Sequence, residues 1–215
     1  MSVKAVIWDF GGVFTTSPFD RFREFEEANG LPTDFIRSIN ATNPDTNAWA
    51  KFERSDVSKE EFDTLFLTES TAKGHPIGGK QIIELLSGTV RPEMVVALDI
   101  ILERGLRCAV ITNNVRAGHG PGISANSDTA NQVAKVMAKM EMVVESSKLG
   151  LRKPDPKIYE HTISALGIDP ADAVYLDDLG INLKPARALG MQTIKVGKPG
   201  PALDELEAIL GFALR

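Results

Sequence analysis

The sequence predicts an α/β protein: a Rossmann-like parallel sheet with a helical module inserted after its first strand. Three observations predict it. Five short apolar runs, rich in β-branched residues and apolar on both faces at their centres, punctuate the 215 residues, as buried parallel strands do. Longer amphipathic stretches alternate with the later runs. Residues 17–90 break that rhythm, with helical periodicity and no strand between.

The first run is "KAVIWDF" (Lys4–Phe10), followed by two glycines. The insertion comes next. "PFDRFREFEEANG", "PTDFIRSINAT", "TNAWAKFERSD" and "SKEEFDTLFLTESTAKG" read as amphipathic helices, the last opened by a capping box at Ser58. This block is best read as a cap inserted into a core made of residues 1–16 and 91–215. A helix at 92–104 leads into the second strand, "LRCAVITN" (Leu106–Asn113). A helix at 126–138 precedes the third, "MEMVVES" (Met140–Ser146). A helix at 155–166 precedes the fourth, "DAVYLDD" (Asp172–Asp178), and one at 181–189 precedes the fifth, "MQTIKVG" (Met191–Gly197). Glycines close several of these helices, as in "LERGL", "SALGI" and "RALGM". The Gly-rich stretch Asn113–Asp128 reads as a mobile surface loop.

Composition narrows the function. The chain is 43% hydrophobic and 25% charged, enough for a full core. A net charge of -5 and no dense Lys/Arg run argue against a nucleic-acid partner. A single cysteine, Cys108, excludes an internal disulfide and suits a reducing compartment. The N-terminus has neither a signal-peptide pattern nor a membrane span, so a cytoplasmic protein is expected, without a membrane partner.

Four places carry candidate chemistry. Asp9 ends the first strand, where ligands of open parallel sheets bind; a turn or helix-capping Asp before Gly-Gly is the competing reading. Asp177 and Asp178 end the fourth strand. Adjacent carboxylates repel unless a cation or proton lies between them, and with Asp9 they can form an oxygen-rich Mg2+ site. The alternative is one helix cap and one solvated acid. Asn182 follows Asp178 by a helical turn, within reach of a metal-bound water. Thr112 and Asn113 end the second strand, where a hydroxyl and backbone N–H groups can hold a phosphoryl oxygen; both are also ordinary turn residues. Lys153, in "LRKPDPKIY", precedes two stiffening prolines and can neutralise a carboxylate and the phosphate it attacks, with Arg152 and Lys157 as rivals.

The order of these motifs resembles the haloacid dehalogenase-like hydrolase superfamily over nearly the whole chain. "KPDPKIY" and "YLDDLGINLKPARALGM" are most similar to the phosphatase-like N-terminal domain of soluble epoxide hydrolases. The resemblance implies a Mg2+-dependent phosphatase acting on a small phosphorylated metabolite. It makes Asp9 the nucleophile of an aspartyl intermediate, Thr112 the binder of the transferring group and Lys153 the neutralising lysine. Asn113 and Gly12 join Thr112 around the phosphate. Asp178 becomes the metal-binding acid, supported by Asp177 and Asn182, with the Gly11 backbone carbonyl and Asp9 completing the ligands.

Gly11 departs from the pattern. Phosphatase members carry Asp two residues after the nucleophile, where it protonates the leaving alcohol and then activates water. Such acid–base catalysis is worth about 100- to 10,000-fold. Three readings follow. The chain is a phosphatase that uses another donor (His119, Asp128 or a cap residue) or a good leaving group such as a sugar-1-phosphate or acyl phosphate. It is a dehalogenase-type hydrolase, although the tyrosine those enzymes carry at this position is missing. Or it is a catalytically impaired binding or regulatory member.

Other signals are weaker. "DFG" lacks the companion motifs of kinases, and "GHGPGI" (Gly118–Ile123) lacks the third glycine of a dinucleotide fingerprint. Cys108, Trp49 and Phe52 read as core. Trp8 is expected to pack under the nucleophile, and Thr15, Thr16 and Ser17 to border the substrate.

Overall fold

A computed structural model describes residues 3–114 and 127–215, without the side chain of Ser127. Its centre is a five-stranded parallel sheet. The strands are β1 (Ala5–Trp8), β2 (Arg107–Thr112), β3 (Met142–Glu145), β4 (Ala173–Asp177) and β5 (Gln192–Lys195), in spatial order β3-β2-β1-β4-β5. All five coincide with the apolar runs. β1 lies between β2 and β4, so the strand order reverses at β1, and the carboxyl ends of these three strands share one rim. That crevice is where such sheets bind ligands.

The period-2 alternation of each strand divides its side chains between two apolar layers. Val6, Trp8, Cys108, Val110, Val174 and Leu176 belong to one layer. It is covered by α6 (Pro92–Glu103), α7 (Ser127–Met137) and α11 (Pro199–Leu210). Ala5, Ile7, Ala109, Ile111, Ala173 and Tyr175 belong to the other. That layer is covered by α9 (Pro156–Leu166) and α10 (Gly180–Ala188). Between β3 and α9 runs the short helix α8 (Ser146–Leu149). Prolines open α6, α9 and α11 at positions whose N–H would be unpaired anyway. The pattern does not announce α11, because its start, Pro199–Gly200–Pro201, carries turn residues.

Between β1 and α6 lie α1 (Pro18–Ala28), α2 (Phe35–Asn40), α3 (Ala48–Glu53), α4 (Lys59–Ala72) and α5 (Gly79–Glu84). The six-residue α5 adds a fifth helix to the four expected; it is short and starts with glycine. These helices bury an apolar cluster of their own, with Phe22, Ile36, Phe52, Phe62 and Phe66 at its centre. Phe52 stacks on Phe62 at 4.4 Å between ring centroids. The Ser58 capping box forms, with Ser58 Oγ accepting from Glu61 N–H and Glu61 Oε2 from Ser58 N–H.

The chain leaves and re-enters the sheet side by side. Thr15 bridges Val90, Thr16 N–H donates to Thr89 O, and Arg91 N–H donates to Phe14 O. The two connections form a short ribbon that sets the helical block over the rim. The "GHGPGI" segment, the loop reading of Asn113–Asp128 and His119 lie wholly or mainly outside the described residues. No helix among the described residues is long and apolar enough to cross a membrane.

Candidate active site

Asp9 follows β1 directly and is buried at the rim. Its Oδ1 accepts from Phe10 N–H at 2.6 Å and pairs with Lys153 Nζ at 2.7 Å. Lys153 Nζ also lies 2.8 Å from Asp177 Oδ2. The lysine is 1% exposed, so one buried ammonium bridges two strand-end carboxylates. Arg152 and Lys157, its rivals in the sequence, point elsewhere: Arg152 pairs with Glu53, and Lys157 is exposed.

Asp177 is fully enclosed. Besides Lys153, its oxygens accept from the Tyr175 hydroxyl, from Leu179 N–H at 2.8 Å and from Asn182 Nδ2 at 3.1 Å. Asn182 is buried behind Asp177, its backbone oxygen accepting from Tyr159 Oη at 2.7 Å. Asp177 and Asn182, expected to support a metal site, are bonded to each other at the rim. Both donate or accept within the core network that orients Lys153.

Asp178 is turned toward the crevice, where Ser17 Oγ donates to its Oδ2 at 3.3 Å. Of the three residues expected to border the substrate, Ser17 is the one bonded to the acidic cluster; Thr15 and Thr16 build the connecting ribbon. One carboxylate oxygen each from Asp9, Asp177 and Asp178 falls within 4.8 Å of the others.

Gly12 makes the close approach of Asp178 possible. It has φ +75°, and a Cβ there would lie 2.2 Å from Asp178 Oδ2. At exposed Gly11 a Cβ meets no atom within 4 Å.

Thr112 ends β2, buried beside β1. Asn113, expected to accompany Thr112 at the phosphate, clasps the Lys153 backbone with its side chain. Its Oδ1 accepts from Lys153 N–H at 2.8 Å and its Nδ2 donates to Lys153 O at 2.9 Å.

Burial sets the electrostatics. It pushes the Asp9 carboxyl well above its usual range, opposed by Lys153 and reinforced by Asp177 and Asp178. Burial followed by the charge of Asp177 raises Asp178 to about 6. For Lys153, burial favours loss of the proton, but Asp177 and then Asp9 outweigh it and hold the ammonium above its ordinary value. Asp9 and Asp178, two neighbouring carboxyls that burial holds back from ionising, would gain from a cation placed between them.

Sequence reasoning missed Glu53. This α3 residue from the helical block is buried, and its Oε2 accepts from Arg152 Nε at 2.6 Å. Its only signal is an acid that follows Phe52 at the end of a short helix, "AWAKFE". Asp128, weighed as a proton donor, is exposed in the first turn of α7.

A buried carboxylate after β1, a buried lysine from the turn before α9 and an acidic pair at the end of β4 meet at one rim of a Rossmann-like sheet. The chain belongs to the haloacid dehalogenase-like hydrolase family, which it matches over residues 3–190. It is 35% identical to acyl-CoA dehydrogenase family member 10 of Mus musculus, across 99% of this chain and 20% of that protein. It is 27% identical to bifunctional epoxide hydrolase 2 of Mus musculus, across 98% of this chain and 39% of that protein. It thus spans well under half the length of either. With phosphatase MT3486 of Mycobacterium tuberculosis it shares 27% identity, across 95% of this chain and 92% of that protein. Among solved structures, a haloacid dehalogenase family enzyme from Bacteroides thetaiotaomicron, a mutant in complex with magnesium and inorganic phosphate, aligns with a TM-score of 0.59 at 21% identity, covering 93% of this chain and 96% of that one. The L-2-haloacid dehalogenase of Xanthobacter autotrophicus aligns with a TM-score of 0.59 at 16% identity, covering 96% of this chain and 82% of that one. Both likenesses concern the fold.

Proposed function

We propose that this chain is a Mg2+-dependent phosphatase that hydrolyses a small phosphorylated metabolite through an aspartyl-phosphate on Asp9, with residues 17–90 acting as its cap and the rest as its core. The observation that carries the reading is the single ammonium of Lys153 held between Asp9 and Asp177, with Asp178 beside them.

The donor set fits Mg2+: hard oxygen ligands, few in number, at the mouth of a crevice. Asp9, Asp178 and the Gly11 backbone carbonyl would hold it, and the ion would offset the negative charge of the phosphoryl group. The residues do the rest. An Asp9 oxygen attacks phosphorus as the bond to the leaving oxygen breaks. Lys153 lowers the repulsion between carboxylate and phosphate. Thr112, and Gly12 as part of the backbone around it, steady the phosphoryl oxygens. Water then attacks phosphorus, releasing phosphate and restoring Asp9. Gly11 offers no proton to the leaving group, so esters whose leaving oxygen is weakly basic, such as acyl phosphates and sugar-1-phosphates, suit the site. The phosphatase among the relatives supports this reading, as do magnesium and phosphate in the similarly folded enzyme.

Gly11 also favours a second reading: carbon–halide hydrolysis by the same Asp9, since a halide leaves without a proton. One assay separates them. Phosphate release from p-nitrophenyl phosphate, acetyl phosphate and a sugar-phosphate panel is measured with Mg2+ and with EDTA, beside halide release from 2-chloropropionate. Mg2+-dependent phosphate release that vanishes in Asp9→Asn is expected. Halide release without phosphate release would replace the proposal with the second reading, and turnover surviving in Asp9→Asn would remove Asp9 from the mechanism. No release of either product would leave a binding or regulatory member.

A further inference from the structure

We propose that Glu53 is a positioning residue: from cap helix α3 it ties together the two core segments that carry Thr112 and Lys153, so that the site is assembled only when the cap is seated. The inference rests on the phosphatase roles assigned to Thr112 and Lys153.

One oxygen of Glu53 does the tying. Oε2 accepts from Arg152 Nε at 2.6 Å and from Asn113 Nδ2 at 3.4 Å. Arg152 is the chain neighbour of Lys153, and Asn113 is the neighbour of Thr112. The segments are also bound to each other, because the Asn113 amide clasps the Lys153 backbone at 2.8 and 2.9 Å. A cap carboxylate therefore closes a ring through both loops. The Arg152 guanidinium extends the contact to Pro44 O at 2.8 Å, again in the cap.

The docking is reinforced on the other side of Glu53. Its backbone oxygen accepts from Ser146 Oγ at 2.8 Å. Ser55, two residues on, donates to Ser147 O at 3.1 Å from a left-handed backbone with φ 60°. A non-glycine residue keeps that conformation only where its surroundings hold it there. The Glu53–Arg152 pair, its carboxylate buried and its guanidinium half-buried, has the same character. Such a pair adds little net stability over apolar packing, but it fixes geometry, and losing one member leaves the other charge uncompensated.

A simple cap–core staple predicts lost stability alone. A positioning role predicts a lost rate, because small displacements of a catalytic group cost about 100-fold. The test is kinetics on p-nitrophenyl phosphate, with hydrogen exchange by mass spectrometry, for Glu53→Gln, Glu53→Ala, Arg152→Ala and the double alanine variant. Glu53→Ala should lower kcat about 10- to 100-fold with KM within about threefold. Glu53→Gln, which keeps shape and an acceptor, should recover part of the loss. The double variant should be no slower than the worse single one. Peptides covering 111–114 and 150–155 should exchange faster, while those covering β1 should not. Unchanged kcat, or exchange that rises equally everywhere, would overturn the proposal. If wild type released no phosphate, the phosphatase reading would fall. The exchange pattern would then decide by itself whether Glu53 sets these two loops, local loosening upholding that and a uniform change overturning it.

Discussion

Lys153 Nζ stands 2.7 Å from Asp9 Oδ1, the lysine shut away from water and the aspartate open to it only at the rim. Removing the lysine would leave Asp9 and Asp177 facing each other with no cation between them. Lys153→Met should destabilise the fold by about 3–5 kcal/mol, the range for stripping one partner from a buried ion pair, and abolish turnover. Urea unfolding at neutral pH measures the first; a stability loss under about 1 kcal/mol would mean that the network tolerates the bare carboxylates.

Asp9→Asn should behave oppositely toward stability. The Asp9 carboxyl is held above its usual range chiefly by burial, so its ionised form disfavours the fold at neutral pH. Asparagine removes that charge while Lys153 keeps Asp177. The urea midpoint of Asp9→Asn should equal or exceed that of wild type, although activity is gone. A clearly lower midpoint would show that the Asp9–Lys153 attraction outweighs the burial.

Much of this was legible in the residues. The five strands announce themselves because a strand buried on both faces has no polar alternation to obscure it. Asp9, Thr112, Asp177 and Asp178 are found because parallel strands deliver their ends to one rim. The residues alone left Arg152 and Lys157 as rivals of Lys153; the family resemblance chose Lys153, and in the fold it is the one buried against Asp9. Glu53 was hidden for the opposite reason. An acid on an amphipathic helix reads as a solvated face, and its partner lies 99 residues away. Tyr175 reads as strand core and Asn182 as a residue within reach of a metal-bound water, and their hold on Asp177 exists only in three dimensions.

Metal binding should depend on pH through Asp178, whose value is raised to about 6 by burial and Asp177. The folded protein then holds this proton more tightly than the unfolded chain. Between pH about 4 and about 6 the stability owed to this group falls as pH rises. A cation that takes the deprotonated form restores it above that window. Mg2+ should therefore raise the melting temperature clearly at about pH 7.5 and little at about pH 5. Equal shifts at the two values would remove Asp178 from the cation site.

Cys108 lies within β2, fully buried, and burial pushes its thiol up to about 12. Thiol reagents attack the thiolate, so native protein at about pH 8 should resist labelling and unfolded protein should take one label. Fast labelling of the native state would show that β2 opens locally.

Gly11 and Gly12 are neighbours that should answer substitution in opposite ways. At Gly11 φ is not positive, and a Cβ meets nothing within 4 Å, so Gly11→Asp has room and no backbone penalty. It should fold as wild type does. If a missing proton donor limits the rate, it should speed hydrolysis of alkyl phosphates, whose leaving oxygen needs a proton, by about 100-fold or more. It should do little for acetyl phosphate, whose leaving carboxylate needs none. Gly12→Ala meets two obstacles. Its backbone holds φ +75°, and its methyl carbon would fall 2.2 Å from Asp178 Oδ2. The left-handed backbone alone costs about 1–2 kcal/mol, and the collision must push Asp178 aside. Gly12→Ala should therefore lower both the urea midpoint and the affinity for Mg2+. If Gly12→Ala binds Mg2+ as wild type does, Asp178 is not held where the cation needs it. If Gly11→Asp accelerates acetyl and alkyl phosphates equally, proton transfer is not what Gly11 withholds.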